Sequence, residues 1–556
     1  MTKISTNLLF ENSFKENWEL SALTDYKGNT LLYKDVATYI AKMHILLEEH
    51  KIKRGDKIAI CGRNQSNWGI VFLAAFTFGA VVVPILHEFK PDNIQYIVNH
   101  SESKLLFCSH FIWENLNENS MPELITIFAL SDFAVLNTKN NKLQNIHSQV
   151  NEIFRKRYKN GFLKKDIAYF KDKPNDMCLI NYTSGTTGLS KGVMISYRNI
   201  WSNIMFAWEI LPQFKKTDGV IVAMLPMAHM YGLMLEFLFE MTVGAHIYFL
   251  TRIPAPKIIM EAFKTIKPTL IVSVPLIIEK IYRKQIQPLL DIITVKALLK
   301  LPIIDRVLLN KIADKLNNVF GGRYLEIIIG GAAFNKDVEK FFRRIGLRYT
   351  VGYGMTECAP IITYADWSET SLYSVGMPAP RMKVKIDSKD PMNIAGEILV
   401  KGDNVCLGYY KNKEATKALF TKDGWLKTGD IGVIDIKGFL YIRGRCKNII
   451  LGPSGQNIYP EEIEGIINNK QYVAESIVIE QKDGKLLALI YPDYEAAKMD
   501  NITEKDIPRI LESSLIEINN ELPKYSQISK LQVWTEEFEK TSKRSIKRFL
   551  YQKTEK

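Results

Sequence analysis

Short β-branched apolar runs alternate with longer helical patterns in the first part of this chain, and this alternation is what most constrains the fold. The runs that show it most clearly are Lys57–Cys61, Leu179–Asn181, Leu270–Ser273 and Leu325–Ile329. A strand followed by a helix and then by another strand is typical of layered α/β proteins. The sequence therefore predicts α/β layers for a large N-terminal domain.

The pattern changes twice toward the C-terminus. Beyond about residue 382, strand-like segments separated by glycine-containing turns predict a β-rich subdomain over about 382–445. After Arg445, helix, strand, strand and helix patterns follow one another and predict a small, mobile α+β domain. Because 556 residues exceed what one hydrophobic core normally supports, we expect a large domain over 1–445 and a small one over 446–556.

Composition excludes several classes of protein. With 47% hydrophobic and 24% charged residues, the chain has the composition of a globular protein. Its N-terminus lacks a signal-peptide pattern, so we predict a cytoplasmic protein. The most apolar stretch, Val71–Leu86, is too short to span a bilayer and is interrupted by Gly79 and Pro84, which predicts a buried helix that runs into a strand.

Cysteine spacing and net charge limit which ligands and partners are expected. The six cysteines form no C-x-x-C pair, which argues against a zinc site and against a disulfide framework. A net charge of +13 favours anionic substrates or an anionic membrane surface. No recognisable nucleic-acid module accompanies that charge, so no nucleic acid is expected as a partner.

The run Tyr182–Val193 gathers three glycines, five serine or threonine hydroxyls and a lysine between two apolar segments. Glycines let the backbone turn its N–H groups toward one point, hydroxyls add short donors, and Lys191 supplies a mobile positive charge. This composition suits a polyphosphate, although a flexible surface loop is the alternative interpretation. Neither Gly185 nor Gly188 is placed for a Walker A motif, which disfavours a P-loop NTPase.

This run resembles the signature of the adenylate-forming superfamily, which contains acyl-CoA synthetases, luciferases and the adenylation domains of peptide synthetases. One departure is Ser190, where the family usually has proline, and the change should loosen the loop without removing a phosphate donor. Other segments match the family in the expected order, so the resemblance covers roughly the whole chain. In this run it implies ATP-binding roles for Thr183, Ser184, Gly185, Thr186, Thr187, Gly188 and Lys191.

Two further segments are implied to contact adenine. Ile329–Ala333 ends an apolar run in small residues, as is needed where a flat ring approaches the backbone, although any tight strand exit could look this way. In Gly352–Glu357 the resemblance implies that an aromatic ring, that of Tyr353, stacks on adenine. The implied contacts of this part of the nucleotide are Gly331, Ala332, Ala333, Gly352, Tyr353 and Gly354.

Polar residues of these motifs, and of one later motif, are implied to contact the phosphates, the metal ion and the ribose. The resemblance implies that Thr356 contacts the α-phosphate and that Glu357 holds Mg²⁺, with Thr183 as a second protein contact near the ion. Asp430, in Trp425–Asp430, stands where the family binds the ribose hydroxyls, because one carboxylate can accept from two adjacent donors.

A hinge between the two domains is implied at Tyr441–Lys447, with Arg445 near ribose or phosphate and Lys447 as the pivot. A basic surface hairpin is the alternative interpretation. His229, in Leu225–Gly232, matches a position that borders the acyl pocket in the family, and direct acid–base work by this histidine is not implied.

The clearest departure from the family lies near the C-terminus. The family has a lysine there that reaches the substrate carboxylate and the α-phosphate, whereas this chain has Ser545. A serine cannot neutralise two anions. Either Lys543 or Lys547 substitutes by a local shift, or adenylation is slow, or the chain carries a substitution at this position. The candidate catalytic residues are thus His229, Lys447, Lys543 and Ser545.

The activity implied is that of a ligase that uses ATP and Mg²⁺ to convert a fatty acid to acyl-AMP and passes the acyl group to coenzyme A. Val274–Tyr282, the insert after it and Lys547–Tyr551 look most like long-chain fatty acyl-CoA synthetases. Two alternatives stay open. One is transfer to an acyl carrier protein, and the other, suggested by Ser545, is a non-catalytic acyl- or nucleotide-binding protein.

The segment Asp291–Leu316 alternates large aliphatic residues with lysines and one arginine, and is broken by Pro302. This amphipathic basic pattern has two interpretations. The segment contacts a membrane, which would place the protein on the inner face of that membrane, or it forms two surface helices that pack on the core with solvated lysines.

Overall fold

The computed structural model describes residues 5–183, 190–211, 218–251, 255–301, 304–452, 456–540 and 546–552. Within these ranges, two large sheets form the framework of the N-terminal part, one with seven strands and one with eight. Most neighbouring strands in both sheets are parallel, because helices connect them. This is the layered α/β arrangement that the alternating apolar runs predict.

The seven-stranded sheet is parallel throughout except for its last pair. Its strands in spatial order are Tyr349–Val351, Glu326–Ile329, Leu270–Ser273, Val220–Ala223, His246–Phe249, Ser21–Asp25 and Thr30–Leu32. The ends of its first three strands lead into segments that the resemblance assigns to the nucleotide or to the acyl pocket.

The eight-stranded sheet has antiparallel pairs at both edges. Its strands in spatial order are Gly408–Tyr409, Lys191–Ser196, Met177–Thr183, Val81–Ile85, Lys57–Cys61, Ser103–Cys108, Thr126–Ala129 and Val135–Thr138. The first two strands of this order carry Tyr409 and Lys191, which lie in the candidate site described below.

Helices cover both sheets and connect their strands. In the N-terminal part the longer ones are Thr6–Glu16, Tyr33–Glu49, Ser66–Phe78, Pro91–Ser101, Ile146–Arg157, Tyr197–Ile210, Pro256–Ile266, Pro275–Gln285, Ile304–Val319 and Lys336–Arg344. Shorter ones are His110–Trp113, Met230–Gly232, the π-helical Leu233–Leu238, Phe239–Val243, Gln287–Leu290 and Ile293–Leu298. Helix Ser66–Phe78 is buried on all sides and ends at Gly79, whose φ of 91° turns the chain into strand Val81–Ile85, as predicted.

Smaller antiparallel sheets follow. One joins Tyr353–Gly354, Ile361–Tyr364 and Met377–Pro378. A second, with four strands in the described chain, joins Met382–Asp387, Gly396–Gly402, Leu426–Ile434 and Leu440–Arg445, and helix Lys413–Leu419 lies between its second and third strands in sequence. The predicted β-rich pattern therefore corresponds to real strands.

The C-terminal part has its own apolar cores. Strands Val473–Glu480, Leu486–Pro492 and Ile528–Val533 form a sheet, next to the short pair Ile450–Leu451 and Asn457–Ile458. Its helices are Pro460–Ile467, Tyr494–Met499 and Ile507–Glu521. The sequence prediction missed the third strand, whose alternating apolar residues pair in parallel with Leu486–Pro492.

The predicted class is confirmed: α/β layers, a β-rich portion and a smaller α+β portion. The boundary at 445 and 446, and the mobility of the small domain, stay predictions. All six cysteines, each in a described range, are unpaired, and five are buried. Among the residues with described structure, no helix is both long enough and apolar enough to cross a membrane.

Candidate active site

The two ends of the predicted phosphate loop lie side by side. Strands Met177–Thr183 and Lys191–Ser196 pair antiparallel, and Thr183 stands directly opposite Lys191 in this register. The tip between them, which includes Ser184, Gly185, Thr186, Thr187 and Gly188, lies outside the described residues. The structure therefore brings together the candidate metal contact and the candidate phosphate lysine.

Tyr409 joins that lysine to the other metal-ligand candidate, Glu357. The Tyr409 hydroxyl donates to Glu357 Oε1 at 2.8 Å, and Lys191 Nζ lies 5.1 Å from the centroid of the Tyr409 ring. Tyr409 reaches this position because its short strand pairs with Val193. Burial and the charge of Glu357 raise the pKa of Tyr409, so its hydroxyl stays protonated and continues to donate.

A close backbone approach fixes the turn that carries Glu357. A Cβ atom at Gly354 would lie 2.2 Å from the carbonyl oxygen of Pro360, so only glycine fits there. The 3₁₀ turn Thr356–Cys358 follows at once. Both Thr356 and Glu357 are buried in it, at 6% and 8% exposure, so the two side chains have few alternative positions.

Asp430 lies beside this turn and contacts two neighbouring side chains through its carboxylate. It stands opposite Arg445 in the pairing of the last two strands of the four-stranded sheet. Tyr353 donates its hydroxyl to Asp430 Oδ2 at 2.6 Å, and Arg445 Nε lies 3.0 Å from Oδ1. The Asp430 side chain is 9% exposed, whereas Arg445 is 67% exposed.

The two carboxylates are close enough to influence each other. Burial raises the pKa of Asp430, Arg445 and Tyr353 act in the opposite direction, and the charge of Glu357 is among the contributions that raise it. The Tyr353 hydroxyl is itself buried, and burial together with the charge of Asp430 raises its pKa. The site therefore combines two buried acids with Lys191 and Arg445, which suits a ligand that carries both phosphates and hydroxyls.

The segments that are implied to contact adenine also meet. Gly352 donates its N–H to the carbonyl of Ile329 at 2.9 Å, which joins the two motifs through the backbone. Gly331 has a φ of 89°, and it lies exposed with Ala332 and Ala333. These small residues leave the surface beside Gly352 open to a flat group.

The loop before His229 is held by buried polar contacts. Asn181 donates to the carbonyl of Ala228 at 2.8 Å, and the carboxylate of Glu236 accepts the N–H groups of Met224 and Leu225 at 3.1 and 2.9 Å. His229 is half-buried at the start of the helical segment that follows. This environment positions the loop and assigns no proton transfer to His229.

Tyr231 ties the His229 segment to the adenine-contact segments. Its hydroxyl lies 3.2 Å from the carbonyl oxygen of Ser273 and 3.0 Å from that of Ile328, at the ends of two neighbouring strands. The acyl-pocket candidate thus adjoins the nucleotide candidates. Sequence reasoning missed Tyr231, Asn181 and Tyr409, because each acts across a large sequence separation. Tyr231 lies in the segment Leu225–Gly232 that also contains His229, but its own contacts do not follow from that pattern.

The predicted hinge lies between the four-stranded sheet and the C-terminal part. Lys447 is exposed in the turn Cys446–Asn448. Arg443 pairs with Glu462 at 3.0 Å, across this turn. The side chains of both are more than one-third exposed, and ion pairs of this kind contribute about 0–1 kcal/mol. This contact therefore offers little resistance to a rotation about Lys447.

Of the residues near the position where the family has its C-terminal lysine, the structure describes Lys547. Lys543 and Ser545 lie outside the described residues. Lys540 and Ile546, which flank these residues in the sequence, form an antiparallel bridge. Lys547 forms an ion pair with Glu539 at 2.8 Å, so in this conformation it is engaged by another group.

Comparison with known proteins identifies the family. A family model described as AMP-binding enzyme matches residues 10–410, and one described as AMP-binding enzyme C-terminal domain matches residues 447–554. The chain belongs to the AMP-binding enzyme family. This confirms the resemblance to adenylate-forming enzymes that the phosphate-loop run and the later motifs indicate.

Curated relatives span most of the chain. A protein of Arabidopsis thaliana named long chain acyl-CoA synthetase 6, peroxisomal, is 29% identical over 511 residues, which cover 85% of this chain and 70% of that protein. Long-chain-fatty-acid–CoA ligase 5 of Rattus norvegicus is 29% identical over 508 residues, covering 86% of this chain and 71% of that protein.

Solved structures share the fold. ATP-bound MatB from Rhodopseudomonas palustris superposes with a TM-score of 0.76 at 22% identity and full coverage of both chains. The o-succinylbenzoate CoA synthetase of Bacillus subtilis, solved with ATP and magnesium ion, gives a TM-score of 0.74 at 20% identity, covering 97% of this chain and 98% of that chain.

Proposed function

We propose that this protein is a long-chain fatty acid–CoA ligase, which converts a fatty acid to acyl-AMP with ATP and Mg²⁺ and then transfers the acyl group to coenzyme A. The observation that carries the proposal is the cluster of Glu357, Tyr409 and Lys191 beside the Asp430–Arg445 pair. The acid–thiol ligase class follows from the family and its relatives. The long-chain substrate is supported by the names of those relatives and by the sequence between Val274 and Tyr282.

In the first half-reaction a carboxylate oxygen attacks the α-phosphorus of ATP, forms the acyl–phosphate bond and expels pyrophosphate. Both reactants are anions, so neutralising charge is the main task of the site. We assign this task to Lys191 on the phosphates and to Thr356 as a donor to the α-phosphate. Holding carboxylate and phosphorus in line adds the benefit of proximity.

The residues present fit a magnesium ion that is shared with the substrate. In the described part of the chain, no group of three or more possible metal-ligating side chains forms a cage that would hold the ion without the substrate. Mg²⁺ commonly takes one or two carboxylates and completes its shell with phosphates and water. Glu357 supplies a carboxylate that Tyr409 orients, and Thr183 supplies a hydroxyl. Bound there, the ion would neutralise charge on the phosphates.

We assign the nucleoside to residues that lie next to the phosphate and metal candidates. We assign the ribose hydroxyls to Asp430, since a buried carboxylate accepts strongly from O–H donors. In the structure its two oxygens contact Tyr353 and Arg445, so binding of ribose adds to or replaces these contacts. We place adenine between the Tyr353 ring and the exposed small residues Gly331, Ala332 and Ala333.

In the second half-reaction the thiol sulfur of coenzyme A attacks the carbonyl carbon of acyl-AMP and expels AMP. We propose that rotation about Lys447 separates the two steps, withdrawing the C-terminal part after adenylation and opening the path for the thiol. The exposed Arg443–Glu462 pair is compatible with such a rotation. A crosslink that fixes the small domain and yet leaves both half-reactions at full rate would contradict this proposal.

Ser545 favours one second candidate, a non-catalytic acyl- or nucleotide-binding protein. The distinguishing experiment measures palmitate-dependent pyrophosphate release from MgATP by the parent and by Ser545→Lys. Release by the parent supports the ligase and means that another basic residue substitutes. Release only by Ser545→Lys indicates a disabled adenylation site. ATP binding without release by either protein, across many carboxylic acids, favours the non-catalytic protein. Replacing coenzyme A with acyl carrier protein tests the alternative acceptor.

A further inference from the structure

Six large aliphatic side chains lie exposed within a short segment between two strands of the seven-stranded sheet. They are Ile292, Ile293, Leu298, Leu301, Ile304 and Val307, with exposures of 46%, 84%, 38%, 49%, 42% and 54%. Exposed aliphatic residues that occur singly are normal, whereas a concentration of them marks an interaction surface. These six side chains form what we call the aliphatic surface.

The helix Ile304–Val319 shows that this exposure is not a by-product of core packing. Leu309, Ile312 and Leu316, spaced three and four residues apart, are buried and attach the helix to the protein. Ile304 and Val307 lie on the opposite side and are exposed. The helix therefore has one apolar face for the core and a second one that the described chain leaves uncovered.

Lysines continue the outward face of the same helix. Lys311 and Lys315 follow Val307 at intervals of four residues, so they share its side of the helix. Lys300, just before the helix, is also exposed. None of these three lysines forms an ion pair within the ranges that the structure describes, so their charges are available to an external partner.

A basic groove extends the surface toward the helix Pro256–Ile266. It has a volume of about 580 Å³ and is lined by Met260, Lys264, Gln285, Lys311, Asp314, Lys315, Asn318 and Val319. Three lysines face one acid in this lining, and two apolar side chains contribute to it. Such a lining suits an anionic head group that is attached to an apolar chain.

We propose that the aliphatic surface and the basic groove dock this protein on an anionic phospholipid bilayer. The aliphatic side chains enter the interface, the lysines face the head groups, and the groove takes the phosphate of one lipid. Aliphatic residues alternating with lysines on one helix face are typical of a helix that lies in a membrane surface. A folded acidic protein would instead be expected to meet several aromatic or arginine anchors, whereas residues 291–316 contain no aromatic residue and a single arginine, Arg306.

The aliphatic surface is connected to the candidate active site, so docking would bring that site near the membrane. Helix Pro275–Gln285, which leads to the aliphatic surface, begins next to Val274, and Val274 packs near Gly331 of the candidate active site. A role for this closeness in substrate uptake rests on the proposed function, because a long-chain fatty acid partitions into bilayers and would be taken up from there. The docking itself depends only on the surface.

The test is flotation of the full-length protein with vesicles of phosphatidylcholine alone or with phosphatidylglycerol added. One variant combines Ile293→Ser with Val307→Ser, and a second combines Lys311→Gln with Lys315→Gln. The matched control combines Ile436→Ser with Lys437→Gln, which changes an exposed aliphatic residue and an exposed lysine in the turn between the last two strands of the four-stranded sheet. Unchanged melting temperatures show that each variant is folded.

We expect the parent and the control to float with anionic vesicles and not with neutral ones. The lysine variant should lose affinity about fivefold for each charge removed, and binding of the parent should weaken with added salt. No binding of the parent to anionic vesicles, or binding by both surface variants that equals that of the parent, would overturn the proposal. Self-association of the parent that the serine variant abolishes, without vesicle binding, would assign the surface to a second copy instead.

The two proposals fail in different ways. Palmitoyl-CoA formation without vesicle binding rejects the docking surface and leaves the ligase standing. Vesicle binding without any acyl-adenylate rejects the ligase and leaves the surface standing. Because octanoate is soluble in water, its activation should be the same in the parent and in both surface variants.

Discussion

Replacing Tyr409 with phenylalanine tests whether its hydroxyl orients Glu357, the candidate metal ligand. In Tyr409→Phe the ring that faces Lys191 remains, and only the hydroxyl bond of 2.8 Å to Glu357 is lost. A hydrogen bond to a charged group contributes about 1.5–3 kcal/mol. If the lost bond orients Glu357 in the transition state, kcat/KM for adenylation falls about 10- to 100-fold.

The assay is palmitate-dependent pyrophosphate release at a series of Mg²⁺ concentrations. We expect the half-saturating Mg²⁺ concentration to rise together with the fall in rate, because Glu357 is then poorly oriented. A purely structural role would lower the urea midpoint and leave the Mg²⁺ dependence unchanged.

Tyr410→Phe is the matched control. Its hydroxyl donates to Glu102 at 3.0 Å, and Glu102 is 49% exposed, so the loss of this bond should leave activity within about twofold of the parent. Equal kcat/KM and equal Mg²⁺ dependence in Tyr409→Phe and Tyr410→Phe would refute the orienting role of Tyr409.

Three further variants test other parts of the account. Asp430→Asn should raise KM for ATP about tenfold or more in initial-rate assays, because it removes the charged acceptor; an unchanged KM would exclude Asp430 from the ribose site. Arg548→Met should lower the free energy of unfolding by about 3–5 kcal/mol in urea titrations, because it leaves Glu464 buried without its partner at 2.6 Å, and adding Glu464→Gln should recover part of that loss. Burial raises the pKa of Glu326 to about 8, from 4.5, so stability should fall as pH rises between these values. Glu326→Gln should make that decline shallower, because it removes the contribution of Glu326 and leaves those of the other buried acids; equal slopes for parent and variant would contradict this.

The sequence predicts those residues of the candidate site that lie in compact motifs. Thr183, Lys191, Glu357 and Asp430 stand out because glycines, hydroxyls and charges occur close together, and such a combination has few structural uses. The apolar runs likewise predict the central strands, since buried parallel strands read as continuous β-branched segments.

Residues whose contacts span long sequence separations cannot be predicted from local motifs. Tyr409 follows Glu357 by 52 residues and reaches it only because a two-residue strand pairs at the sheet edge. Glu236 lies in an apolar run, where its carboxylate would be expected to face solvent; the structure buries it completely, and burial raises its pKa well above the usual range. Neither outcome follows from local pattern, because both depend on which distant backbone the fold brings near.

Oxygen transfer tests the central claim, that the protein forms an acyl-adenylate, most directly. Palmitate labelled with ¹⁸O in both carboxylate oxygens is incubated with the protein, MgATP and coenzyme A, and AMP and palmitoyl-CoA are analysed by mass spectrometry. If the carboxylate attacks the α-phosphorus and the thiol then attacks the carbonyl carbon, each AMP carries one ¹⁸O and each palmitoyl-CoA retains the other. Unlabelled AMP, or label in inorganic phosphate with release of ADP, would contradict the account.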